Sequence, residues 1–211
     1  MSVEDLSKRF GPDWALARAT FTLERGQLAL LTGSNGSGKT TLIKCLSTAL
    51  PPDWGHAEIA GHDIVEARDR VRSLVATLSV PAGFYGELSA LENLHLAETL
   101  LHPPKSISIE AMLERVGLAP RQDSPLNTYS AGMKQRFALA RLAVLQRDVV
   151  LLDEPETHLD SAGFALLHDF LDEWKRAGAA VICATHAPER FHLHANLEVG
   201  LVAGRPERSA A

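Results

Sequence analysis

From Leu28 to Leu31 four apolar residues run without a break into Thr32-Gly33, the pattern of a strand buried on both faces that feeds a glycine-rich turn. Val149 to Leu152 and Ala180 to Ala184 are runs of the same kind and predict two more buried strands. Shorter strands are expected around Val3 to Phe10, at Ala19 to Leu23, where apolar and polar residues alternate, at Glu58 to Ala60 on an edge, and from Leu74 to Val80, before Pro81. Other stretches carry a helical period. Leu42, Leu46 and Leu50 share one face of a helix that starts at Gly38 and stops at Pro51-Pro52. Leu88 to Leu101 is a second helix, opened by a Ser89/Glu92 capping box; Ile109 to Val116 is a third, closed by Gly117; Ser161 to Arg176 is amphipathic throughout. Strands alternating with helices predict an α/β fold, a mostly parallel sheet covered by helices, with a small antiparallel edge region and a helical insert in the middle third. No internal repeat interrupts it.

Composition narrows the picture only a little. The chain has 211 residues, 45% hydrophobic and 22% charged, enough for one buried core with a small subdomain. A net charge of -5 with scattered lysines and arginines argues against a nucleic-acid surface. Cys45 and Cys183 each sit in an apolar run and read as buried free thiols of a reducing compartment. No segment approaches the ~18 apolar residues that span a bilayer, and the N-terminus lacks an apolar signal region, so the expected location is the cytosol, with any membrane role reached through a partner.

The candidate chemistry lies at strand ends. GSNGSGKT, Gly33 to Thr40, fits G-x-x-x-x-G-K-[ST] after a buried strand and at a helix start. Gly33, Gly36 and Gly38, with Ser34, Asn35 and Ser37 between them, let the backbone curl so that successive N–H groups form an anion nest at the positive end of the helix. Lys39 is then expected to bridge the β- and γ-phosphates of ATP, the Thr40 hydroxyl to ligate Mg²⁺, and Thr41 to touch the α-phosphate. VVLLDEP, Val149 to Pro155, ends a buried strand in two carboxylates, a costly arrangement without a cation. Asp153 is the expected Mg²⁺ holder and Glu154 the base for the attacking water. His186, after the Ala180 to Ala184 strand, can donate to the γ-phosphate.

GSNGSGKT, Tyr129-Ser130-Ala131-Gly132-Met133, VVLLDEP, Leu159-Asp160 and His186, in that order, resemble an ATP-binding-cassette (ABC) ATPase over essentially the whole chain. The resemblance implies a P-loop NTPase of ABC type, with residues 1–78 and 136–211 as the ATP-binding core and 79–135 as an inserted helical subdomain. It also implies a head-to-tail dimer in which Ser130 and Gly132 contact the γ-phosphate held by the other subunit's Lys39, with Asp160 near the nucleotide. Phe10 falls where the family places an aromatic on adenine; packing at an edge strand explains it equally, and Trp14 is a weaker candidate. The chain departs from the family at Tyr129, Ala131 and Met133, where Leu-Ser-Gly-Gly-Gln is the common form of the signature, at His158, and at Val80, which stands beside Ser79 where a loop glutamine is usual.

Size and the single cassette resemble the ATPase subunit of a bacterial transporter whose membrane permease subunits are separate chains, held at the inner face of the membrane. YSAGMKQR is similar to exporters of drugs, lipids or polysaccharides, and TGSNGSGKTTL with ELSALENL resembles the ATPase of the haem exporter of cytochrome c maturation. Phe84-Tyr85 is the expected relay to the membrane partner. A soluble ABC ATPase acting on nucleic acid or ribosomes is the alternative from another class, without a coiled coil or basic extension to favour it. His192 and His194, two apart, are read as alternate strand residues in solvent.

Overall fold

The computed structural model describes residues 1–79, 83–104 and 107–206, and its elements follow the hydrophobic pattern closely where that pattern is long. In chain order they are β1 (Ser2–Phe10), β2 (Asp13–Thr22), β3 (Leu28–Thr32), α1 (Lys39–Leu46), β4 (Trp54–Ile59), β5 (His62–Asp63), α2 (Arg68–Leu74), β6 (Val75–Leu78), α3 (Ala90–Leu101), α4 (Ile109–Arg115), α5 (Ala131–Leu145), β7 (Val149–Asp153), α6 (Ser161–Arg176), β8 (Ala180–Ala184), β9 (Leu197–Val202) and β10 (Arg205–Pro206). The main sheet runs β10-β9-β3-β8-β7-β6, with every pair parallel except β10–β9. A second sheet, β2-β1-β4-β5, is wholly antiparallel.

The strands are buried on both faces because different layers cover them. Leu28, Leu30, Val150, Leu152, Val181 and Cys183 face a core shared with α3, α4, α5 and α6. Their neighbours Ala29, Leu31, Val149, Leu151, Ile182 and Ala184 face the other way, toward α1, α2 and the antiparallel sheet. Two layers around one sheet explain why these strands read as unbroken apolar runs rather than as alternation. Cys45 and Cys183 are both free and buried.

Register fixes the site. Leu31 pairs with Ala184, and Ala184 pairs with Asp153, so β3, β8 and β7 finish in one row. The loops after those strands therefore leave the same edge of the sheet, where ligands of open parallel sheets bind.

Several boundaries differ from the expectation. α1 ends at Leu46, a turn before the prolines, because Thr48 turns left-handed at φ 62° and its buried hydroxyl accepts from Arg72 Nε at 2.9 Å. β6 starts at Val75, since Leu74 closes α2, a helix the sequence pattern did not reveal. β2 begins six residues before Ala19. His194 is no solvent-facing strand residue: it lies buried in a turn before β9, drawn in by Asp172 Oδ1 at 2.8 Å and His168 Nδ1 at 2.5 Å from α6. Among the described residues no helix is long and apolar enough to cross a membrane.

Candidate nucleotide site

β3 leads straight into the glycine-rich loop, and Gly38 sets the loop's exit. Its φ is 106°, and a Cβ there would lie 2.4 Å from the Ala15 carbonyl oxygen, so no other residue fits. Gly36 differs from it in kind. It also turns left-handed, at φ 76°, but a Cβ there would meet nothing within 4 Å, so glycine serves the curl of the loop at that position and not a close approach of backbone. α1 then starts with no side-chain cap and no acid in its first turn, which leaves its N–H groups open to an anion. Lys39 is buried and folds back on its own loop, donating to Gly33 O at 2.7 Å and Ser34 O at 3.0 Å. Burial lowers its pKa, opposed by Glu154 and Asp153. Ser37 Oγ is buried with no hydrogen-bond partner. Phe10, Ala15, the loop from Asn35 and Gly36 to Thr41, and Glu154 line one cleft of about 330 Å³.

At the end of β7 Asp153 is 8% exposed, and burial pushes its carboxyl above the usual range, against a hydrogen bond from Thr40. One of its oxygens, Oδ1, is buried and unpartnered. A carboxylate with one orphaned oxygen, beside a threonine hydroxyl, is a hard, all-oxygen donor set, which suits Mg²⁺ completed by water and phosphate. Among the described residues no cluster of three or more histidine, cysteine, aspartate or glutamate side chains could hold a metal alone, so an ion here would share its shell with a nucleotide. Glu154 turns left-handed at φ 50°, its N–H donating to Ala184 O at 2.9 Å. Such a conformation in a non-glycine residue costs on the order of 1–3 kcal/mol and collects at functional sites. It aims the carboxylate at His186 Nε2, 2.5 Å from Oε1.

The signature residues stand apart. Ser130 caps α5, accepting from Met133 N–H at 3.3 Å, and neither it nor Gly132 lines the cleft. Ser130 remains exposed, its hydroxyl hydrogen free to donate. Gly132 packs beneath the loop after β7, where a Cβ would lie 2.8 Å from the His158 carbonyl oxygen. That loop is strapped to α5: Gln135 Nε2 donates to Pro155 O at 2.8 Å, and Arg136 Nη2 reaches both Asp160 oxygens at 2.6 and 2.7 Å. Asp160 also caps α6, accepting from Gly163 N–H at 2.8 Å, so its carboxylate is committed within the chain. The Gln135 and Arg136 straps were not anticipated from sequence, although both sit in the YSAGMKQR run.

Phe10 is 54% exposed at the rim of the phosphate cleft. Trp14 is not: it packs edge-on against Trp54 at 6.2 Å and lines a separate cleft of about 770 Å³ with Asp5, Ser7 and Arg18. Phe84 packs on Phe137 at 5.7 Å, and Tyr85 is 61% exposed. Val80 lies outside the described residues.

Comparison with known proteins agrees with this arrangement. A family model described as ABC transporter matches residues 16–157. The cytochrome c biogenesis ATP-binding export protein CcmA of Agrobacterium fabrum is 36% identical over 191 residues, 89% of each chain. The daunorubicin resistance ATP-binding protein DrrA3 of Streptomyces coeruleorubidus is 35% identical across 88% of this chain, which spans only 60% of that protein's length. A solved ATP-binding subunit of an ABC transporter has the same fold, with a TM-score of 0.90 at 27% identity over 100% of this chain and 89% of its own.

Proposed function

The chain belongs to the ABC transporter family as an ATP-binding, ATP-hydrolysing subunit, and on that premise we propose that two copies close head-to-tail around two ATP to drive haem export by separate membrane subunits. The observation that carries the reading is the convergence of Lys39, Thr40, Glu154 and Phe10 on one cleft beside the orphaned Asp153 oxygen. In this mechanism Lys39 exchanges its two loop carbonyls for the β- and γ-phosphates, held by the amides of Gly33 to Thr41, and Phe10 stacks on adenine. Thr40 and Asp153 would hold Mg²⁺, which when bound would supply positive charge to the phosphate oxygens. Glu154 takes a proton from water as the water oxygen bonds to the γ-phosphorus and the bond to the β–γ bridging oxygen breaks, leaving ADP and phosphate. His186 holds Glu154 as an aligned carboxylate and donates to the γ-phosphate.

Ser130 and Gly132, remote from their own chain's cleft, serve the partner's nucleotide. Residues 79–135 then act as the subdomain that meets the membrane subunits, around the groove of about 380 Å³ lined by Tyr85, Leu96, Leu100 and Arg141. This places the protein on the inner face of the membrane through its permease, with no role for nucleic acid. The CcmA relative, named for export in cytochrome c biogenesis and matched over 89% of its length, is consistent with haem as cargo; the DrrA3 relative, named for daunorubicin resistance, favours a drug as the second reading.

Glu154→Gln tests the engine: turnover should fall by at least about 10²-fold while ATP binding persists and the chain accumulates as a dimer in size-exclusion chromatography. A variant that stays monomeric at saturating ATP ends the sandwich reading. Affinity capture from detergent extract tests the class. Recovery of an integral membrane partner whose reconstituted ATPase responds to haem supports the cargo, a response to an anthracycline instead moves it to drugs, and recovery of ribosomes or DNA overturns transport.

A further inference from the structure

The turn that presents His186 is held by two residues the mechanism has not used. β8 ends at Ala184, and Thr185 and Ala187 flank the histidine. Thr185 is fully buried. Its hydroxyl accepts from the Ala187 N–H at 3.0 Å and donates to Glu156 Oε1, while its own N–H donates to Leu31 O at 3.2 Å. One side chain thus spans the backbone on both sides of His186 and ties it to the loop after β7. The other Glu156 oxygen, Oε2, is buried with no hydrogen-bond partner. Leaving half of a carboxylate unsatisfied in a buried place is costly, and such groups persist where the surrounding function needs them.

The same loop carries Glu154, and three rungs now cross from it to the β8 turn. Glu154 N–H meets Ala184 O at 2.9 Å, Glu156 meets the Thr185 hydroxyl, and the Glu154 carboxylate meets His186 Nε2 at 2.5 Å. The first rung is backbone and the third is the reactive contact itself. The middle rung is a pair of side chains that takes no part in the proposed chemistry and fixes the spacing of the other two. We propose that Glu156 and Thr185 are positioning residues for hydrolysis, setting the turn that aims His186 at Glu154. This rests on the reading that Glu154 and His186 act on the γ-phosphate and its water.

Thr185→Val keeps shape and removes the hydroxyl. In the full chain it should lower kcat for ATP hydrolysis by about 10-fold, the scale of a sub-ångström misplacement, with KM for ATP within about twofold, and it should lower the melting temperature because Glu156 and the Ala187 N–H lose their partner, while leaving the chain folded at the assay temperature. Thr185→Ser restores the hydroxyl and should bring kcat back. Glu156→Ala, at a less buried position, should match Thr185→Val, and the two together should be no slower than either alone because they break one chain. Glu154→Gln serves as the reference. If that variant turns over at the parental rate, the reading of the site fails; if it is slowed as expected while Thr185→Val keeps the parental kcat, or Thr185→Ser fails to recover it, the positioning role alone is overturned.

Discussion

Asp153 and Gly132 show how single residues serve two demands at once. Burial is the largest influence on Asp153 and raises its pKa, so the folded chain binds that proton more readily than the unfolded one. The sign follows: the ionised carboxylate costs stability at any pH above its raised folded value, and the cost disappears as pH falls through that value toward 3.8. Asp153→Asn should therefore raise the melting temperature of the nucleotide-free protein at neutral pH, measured by differential scanning calorimetry, while removing Mg²⁺-dependent turnover. Gly132 obeys the opposite logic. Its missing Cβ leaves room for the His158 carbonyl, so Gly132→Ala should cost about 1–3 kcal/mol in urea unfolding as well as slowing hydrolysis. The sequence marked both residues through their motifs, yet it could not show the orphaned Asp153 oxygen or the carbonyl under Gly132. Those depend on atoms brought from α1 and from the loop after β7.

At the scale of elements, legibility followed the length and purity of the apolar pattern. β3, β7, β8 and α6 were readable because each repeats one period without exception, and α3 because its capping box is a local signal, with Ser89 Oγ accepting from Glu92 N–H at 3.1 Å and the Glu92 carboxylate from Ser89 N–H at 2.8 Å. α2 was not, since RDRVRSL buries only Val71 and Leu74. The turn holding His194 was misread for a tertiary reason. His168 from α6 stacks on Phe191, Arg190 lies 3.6 Å from the Phe164 ring, and Lys175 Nζ donates to His194 O, so α6 gathers the segment that follows His186. Burial and the neighbouring His194 depress the His168 pKa below 6.5, with Arg190 acting the same way and Asp172 and Asp169 opposing. A depressed folded value means that the unfolded chain binds the proton more readily, so this stability is complete above about pH 6.5 and is lost as pH falls below it. The drop in urea midpoint between pH 7.5 and pH 5.5 should be smaller in His168→Phe than in the parent chain. Equal drops in the two proteins would remove the histidine pair as its source.

At the scale of the whole molecule, the phosphate cleft and the Ser130 cap of α5 lie apart within one chain. The phosphate cleft opens at the ends of β3 and β7, while Ser130 caps α5 outside its lining and is strapped there by Arg136, Asp160 and Gln135. The proposed head-to-tail pair would unite them through a second copy, and a two-fold arrangement would make both composite sites at once. The two native thiols make this directly measurable. Cys45 is buried with its pKa pushed up to about 11, and burial raises the Cys183 thiol well above its usual value, so neither offers thiolate to an oxidant. In an Asn35→Cys, Ser130→Cys, Glu154→Gln chain the only reactive thiols are then the introduced pair, one on the phosphate loop and one on the signature. A disulfide needs Cα atoms within about 7 Å, an approach that the proposed head-to-tail pair predicts for these two positions. Mild oxidation with ATP should give a covalent dimer on non-reducing electrophoresis, and oxidation without nucleotide should leave monomer. An internally bridged monomer would mean that the strapped helix reaches its own cleft, and failure to bridge in a dimer that still forms with ATP would mean that the two chains meet by another face.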